Sequence, residues 1–367
     1  MNKFWNFEIT HYITESKPGL LDAYKPKGKY SEDYNSLYEL LGTSPHPSMR
    51  LPVGKEHIEP TFLSFQHMLV DINTIKILLI LLGCSKIVSL KFCSNNFEVP
   101  VLETLINGLI NKSNSIYTLV FEWNHSLKVE NSKEVVSWNP PIENPEHQSL
   151  INRAHSCIAK IPLMTKIESL CLRGNYLGDE AMLILIENLK NNNTLRILNL
   201  YNNCISSKSF TTFCSFLETN KKLEEVHLGK NLLVDEDLIC LKKIVGKFLM
   251  SGEEVENYQK KSKERDAIIE KNKKLKNQRK PEEPLPFLEE ITQIGDNYYI
   301  VRNTKLKSLN LMQNQFSNCY DLVVSLLKQT ESLFLTLDNS LFDKEQRHNL
   351  SYPSGGMNFS TRIYLSK

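Results

Sequence analysis

Between Ile167 and Leu233 one apolar phrase is written three times. Its slots are Ile167, Leu170, Leu172, Asn175 and Leu177, then Leu195, Leu198, Leu200, Asn203 and Ile205, then Leu223, Val226, Leu228, Asn231 and Leu233, each copy starting 28 residues after the last. The L-x-L alternation is that of a strand with one buried face. After each phrase the apolar residues take helical spacing, as Met182, Leu183, Ile186 and Leu189 do. A fixed period in the twenties with one strand and one helix per unit predicts an α/β solenoid: a parallel sheet on the concave side, helices outside, each repeat touching only its neighbours.

Weaker copies lie at Ile87, Leu90, Phe92, Asn95 and Phe97, at Ile116, Leu119, Phe121 and Asn124, and at Leu306, Leu309, Leu311, Asn314 and Phe316. The steps of 51 residues before Ile167 and 83 residues after Leu223 imply two insertions. The first, 127–148, is polar with Pro140, Pro141 and Pro145, and holds Trp138, which needs something to cover it. A helix over Ile151–Ile161 closes that repeat. In the second, Gly252–Lys280 mixes lysines with acids and few apolar residues, which predicts a solvated, protruding helix. Pro281–Val301 reads as an extended return leg with a hairpin turning at Gly295–Asn297.

The expected organisation is an extended N-terminal arm (1–60), a capping segment (61–86) with Asp71 as helix N-cap, repeats over 87–250, the charged insertion (251–301), last repeats (302–340) and a polar tail (341–367). Helices are expected at Asp179–Leu189, Ser207–Leu217 and Asp235–Leu249, with Asp179, Ser207 and Asp235 in the N-cap places. The six asparagines Asn95, Asn124, Asn175, Asn203, Asn231 and Asn314 stand where the backbone leaves each strand and its peptide groups lose ladder partners. A carboxamide both donates and accepts, so these residues are expected to form a structural ladder. Residues between the apolar slots face out from the sheet. Arg173, Tyr201 and His227 there, with Trp138 and Trp5, are the candidate protein-contact residues.

Composition narrows the function. Forty-four Lys and Arg against 42 Asp and Glu leave a net charge of +2, without the clustered basic excess of a nucleic-acid surface. Eight cysteines include no CxxC, which reads as reduced structural thiols in the cytoplasm. No apolar run approaches the roughly 18 residues of a membrane span. Phosphate-loop, dinucleotide, zinc-protease and nucleophile-elbow motifs are missing. The expectation is a non-enzymatic protein with no catalytic, cofactor-binding or metal residues, no membrane or nucleic-acid contact, and other proteins as partners.

The stretch Ile167–Asn203 resembles the ribonuclease-inhibitor-like class of leucine-rich repeats, and that resemblance implies a horseshoe with a full α-helix in each turn. More narrowly, Ser169-Leu170-Cys171-Leu172-Arg173-Gly174-Asn175, the Lys-rich insertion, the Pro-Glu-rich leg with Gly295 and Tyr299, and the resumption at Leu306–Leu311 resemble the family of leucine-rich repeat-containing protein seventy-one. This second resemblance implies an axonemal component of motile cilia or flagella, in the cytoskeleton, with axonemal or microtubule-associated partners. The alternative is a cytoplasmic regulator of a small GTPase, since the Ran GTPase-activating proteins share the repeat class; Arg173 would then be the candidate trans-acting cation.

Overall fold

The computed structural model describes residues 19–43, 45–51, 59–112, 115–130, 132, 134–138, 143–278, 281–286, 288, 291–301, 303–330, 333–351, 359 and 361–366. Trp5 lies outside them. The chain divides into two compact units, Met1–Cys204 and Ile205–Lys367.

The first unit runs α1 (Tyr30–Leu41), β1 (Phe62–Gln66), α2 (Ile72–Leu82), β2 (Ser89–Cys93), β3 (Asn96–Phe97), α3 (Val99–Lys112), β4 (Thr118–Glu122), β5 (Ser126–Lys128), β6 (Val135–Ser137), α4 (Pro145–Ile158), β7 (Ser169–Cys171), α5 (Asp179–Lys190) and β8 (Ile197–Asn199). Strands β1, β2, β4, β7 and β8 pair in parallel in that order, with Leu63, Leu90, Leu119, Leu170 and Leu198 in register. All five leucines are buried beneath the returning helices. This is leucine-rich repeat architecture, and the next apolar slot shows how it packs. Phe65 stacks on Phe92 at 4.8 Å, and Phe92 meets Phe121 at 6.1 Å, one ring per repeat.

Three expectations change here. The arm, expected to be extended but for a short helical patch at Ser36–Leu41, contains the longer helix α1, which buries Tyr30, Tyr34, Leu37 and Tyr38. Tyr30 and Tyr34 in the core positions carry the helix upstream of that patch, where a reading based on aliphatic residues shows no period. The stretch taken as a capping segment carries β1 as well as α2, so it is a repeat in its own right. Its Asn slot is filled by Met68, which breaks the pattern of the phrase there. Asp71 does cap α2, accepting from the backbone N–H groups of Asn73 and Thr74.

The third concerns Trp138. The first insertion folds back as an antiparallel hairpin of β5 and β6, and the backbone N–H of Trp138 donates to the His125 carbonyl at 2.8 Å. The indole is only 2% exposed and meets the His155 ring edge-on at 4.8 Å. Trp138 is therefore core and not a contact residue; what covers it is α4 of its own repeat. Helix α4 begins at Pro145, six residues before the expected start. Asn144 caps it, and proline is tolerated in the first turn, where its missing N–H is not needed.

The second unit runs α6 (Ser207–Thr219), β9 (Glu225–His227), α7 (Asp235–Val245), β10 (Lys247–Leu249), α8 (Gly252–Asn277), β11 (Ile291–Ile294), β12 (Asn297–Val301), β13 (Ser308–Asn310), α9 (Tyr320–Gln329), β14 (Phe334–Asp338), α10 (Lys344–Ser351) and β15 (Ile363–Ser366). Strands β9, β13, β14 and β15 form a parallel sheet. The expected polar tail thus ends in a strand, with Ile363 beside Leu335 in the buried row. The helix caps also sit one residue earlier than expected, at Gly178, Ser206 and Val234. Asp235 instead turns its carboxylate to the next repeat, accepting from the backbone N–H groups of Ser317 and Asn318 and from the Ser317 hydroxyl.

Helix α7 stops at Val245, short of the expected Leu249. A side chain on Gly246 would come within 2.8 Å of the Lys242 carbonyl, and Lys247–Leu249 leave to pair with β12. The second insertion is then a separate module, an antiparallel sheet of β10, β12 and β11 carrying α8. Helix α8 is exposed over almost its whole length. It packs on the return leg through Asn272, which exchanges two hydrogen bonds with the Glu283 backbone, and Arg265, which donates to the Pro286 carbonyl. The chain leaves and re-enters the repeat at one point, where the Asn303 N–H donates to the Ile244 carbonyl at 3.0 Å. Replacing residues 247–302 by a short Gly-Ser linker is therefore expected to leave cooperative thermal unfolding within a few degrees of the parent by circular dichroism. A variant with no cooperative transition would show that the module is part of the core.

The six asparagines bridge each repeat to the one before it. Asn124 donates to the Phe92 carbonyl at 3.0 Å and Asn175 to the Phe121 carbonyl at 2.7 Å. Their oxygens accept from the preceding turn: Asn95 N–H to Asn124 at 2.9 Å, and Asn124 N–H to Asn175 at 3.0 Å. The residue before each of them, Ser94, Trp123, Gly174, Asn202, Lys230 and Gln313, has φ between 53° and 70°. This left-handed kink turns the asparagine inward at the strand end, at a cost of about 1 kcal/mol for a residue with a Cβ. The buried carboxamide bonds offset that strain. A second set lies at the strand entrances. Asn192 and Asn303 each accept from two backbone N–H groups ahead and donate to a carbonyl of the preceding repeat.

Candidate interaction face

Along the sheet of the first unit the pleat turns Lys91, Val120, Cys171 and Asn199 outward in one row, with Cys93 and Glu122 in the next. Arg173 and Tyr201 follow β7 and β8 in that second row. Trp123, one residue beyond β4, has φ 57°, and its ring departs from the row to lie over Gly174. A Cβ on Gly174 would stand 2.3 Å from the indole, so only glycine leaves room for it. The Arg173 guanidinium carbon is then 5.3 Å from the Trp123 ring and 4.9 Å from the Tyr201 ring, one contributed by each neighbouring repeat. Both distances fall in the cation–π range. His125 meets Trp123 edge-on at 6.4 Å and Tyr176 at 5.5 Å, extending the aromatic cluster.

Arg173 is exposed and the rings beside it are half-buried. Among the described residues no carboxylate or carbonyl pairs with its N–H groups. Its neighbour Lys91 is matched by Glu122 at 2.7 Å. The structure thus brings together Arg173 and Tyr201 of the expected contact set and adds Trp123. Trp123 stands in the column of the left-handed residue, where the other repeats carry Ser, Gly, Asn, Lys or Gln, so its type does not mark it as a contact residue. Aligning the copies by their Asn slot would have placed it beside Gly174.

His227 lies on β9 in the second unit, half-buried, its Nε2 2.6 Å from Glu225 Oε1. The outward-facing thiols are not nucleophiles: burial pushes Cys171 up to about 11 and Cys93 above the usual thiol range. Among the described residues no group of three or more His, Cys, Asp or Glu could hold a metal, and no helix is long and apolar enough to cross a membrane. An open groove of 630 Å³ lies between α3 and α4, spanned by the Arg153–Glu103 bridge at 2.9 Å. Burial raises Cys157 in its wall to about 12, which leaves that thiol protonated as well.

No protein-family model matches the chain, and no curated protein matches it. Among solved structures, the yeast Rad7 and Elc1 complex is similar at 11% identity and a TM-score of 0.25, over 78% of this chain and 71% of that one. The fold stands on the repeat register and the asparagine ladder alone.

Proposed function

We propose that this chain is a non-enzymatic scaffold that binds another protein on the open strand face of its first unit, and that it serves in the axoneme of cilia or flagella. The observation that carries the first part is the Trp123–Arg173–Tyr201 stack. Trp, Arg and Tyr are the residue types that dominate binding energy at protein interfaces, and here three repeats present them together. The rings hold the long arginine side chain in place before binding, which reduces the ordering cost on association. The axonemal placement is supported by the sequence resemblance at Ser169–Asn175 and across the Lys-rich insertion.

A tagged full-length chain carrying a photo-crosslinking amino acid at Asn199 tests both parts in ciliated cells. Protein adducts at position 199, absent when the group is placed at the exposed Ile239 of α7, together with an axonemal signal, are the expected result. Adducts at 239 but not at 199 would refute the binding face, and a signal confined to cytosol would refute the location.

A further inference from the structure

Arg173 carries a charge with no counter-charge among the described residues, and its surroundings say what kind of group would supply one. The rings of Trp123 and Tyr201 approach from the two neighbouring repeats and occupy the flanks of the guanidinium. Its in-plane N–H fork stays open to solvent, and that fork matches the two oxygens of a carboxylate. The local charge count is one: Lys91 is already neutralised by Glu122 at 2.7 Å. A phosphate group, at about −1.5 to −2, would remain under-compensated there. A single carboxylate would be balanced. One row back from the fork lie Val120 and the protonated thiol of Cys171, both half-buried, which favour an apolar side chain next to the acid.

We propose that Arg173 anchors one aspartate or glutamate side chain of the docked protein, on a segment that sets an apolar residue against Val120. This rests on the reading of the strand face as the docking surface. Trp123 and Tyr201 act as positioning residues that hold the fork flat, and Gly174 leaves the space for the indole.

In the test, the partner segment cross-linked at Asn199 is mapped, synthesised, and titrated against the full chain by fluorescence polarisation. A second peptide has the acid changed to its amide. Arg173→Gln is expected to weaken the acid peptide at least tenfold with unchanged thermal unfolding. The amide peptide should lose the same factor, and the two changes together should lose no more than either alone. Tyr201→Phe, which keeps the ring, should bind within twofold of the parent. If Arg173→Gln binds the acid peptide as tightly as the parent does, the anchor is refuted while the docking face stands. If every acid tolerates its amide, or if phosphatase treatment of the captured partner abolishes binding, the carboxylate assignment is refuted. No adduct at position 199 would overturn both readings.

Discussion

Asn175→Ala is expected to lower stability by about 3 kcal/mol, more than an ordinary surface change by severalfold. The carboxamide is fully buried, accepts from the Asn124 N–H at 3.0 Å, and donates to the carbonyls of Phe121 at 2.7 Å and Leu172 at 2.9 Å. Alanine leaves one donor and two acceptors without those partners in a site closed to water, at roughly 1–3 kcal/mol each before relaxation. The loss also falls where the chain has just crossed its first insertion, so Asn175 joins repeats 51 residues apart in sequence. Urea denaturation of the purified chain measures it. A shift under about 0.5 kcal/mol would mean that the turns are held by something other than the ladder.

Trp138→Ala should cost about 3–5 kcal/mol, the range for removing a large buried aromatic side chain. The indole is the anchor of the β5–β6 hairpin, pressed edge-on against His155. Limited proteolysis should then cut within 127–143 in the variant and not in the parent; an unchanged melting curve and cleavage pattern would show the indole to be dispensable. The same contact has a pH signature. Burial holds His155 down to about 4, below the roughly 6.5 of an unfolded chain, so the unfolded state binds the proton first. The stability contributed by a neutral His155 is complete above about pH 6.5 and is lost as pH falls toward 4. Opening the site by Trp138→Ala lets water reach the ring, and the acid-side slope should flatten.

Much of this molecule is legible in the apolar pattern because the pattern and the hydrogen bonding repeat together. The L-x-L slots and the asparagine after them recur at the same spacing, and the structure uses them the same way in each turn. Where the residues in the slots change type, legibility fails. Met68 in place of asparagine masks the first strand, and tyrosines in place of leucines mask the first turns of α1. Asn192 and Asn303 lie outside the repeated phrase, although they organise the strand entrances as fully as the ladder organises the exits.

The contact set divides by the same reasoning. Arg173 and Tyr201 could be placed on the open face by counting along a strand, since side-chain direction in a pleated sheet follows from parity. Trp138 could not be assigned a side, because a tryptophan in a loop goes wherever the loop's return path carries it. Trp123 needed a left-handed backbone and a neighbouring glycine to bring its ring onto Arg173.

What the sequence determined by itself is the periodic part: the strand and helix of each repeat, the buried row of leucines, and the points at which the chain leaves that period. Those follow from local spacing and from the need to pair every buried peptide group. Only the tertiary structure decided which rings surround Arg173, that Trp138 is core, and that the second insertion closes on itself at Ile244 and Asn303. These depend on contacts between residues from 17 to 59 positions apart, and no local pattern encodes which distant side chains will meet.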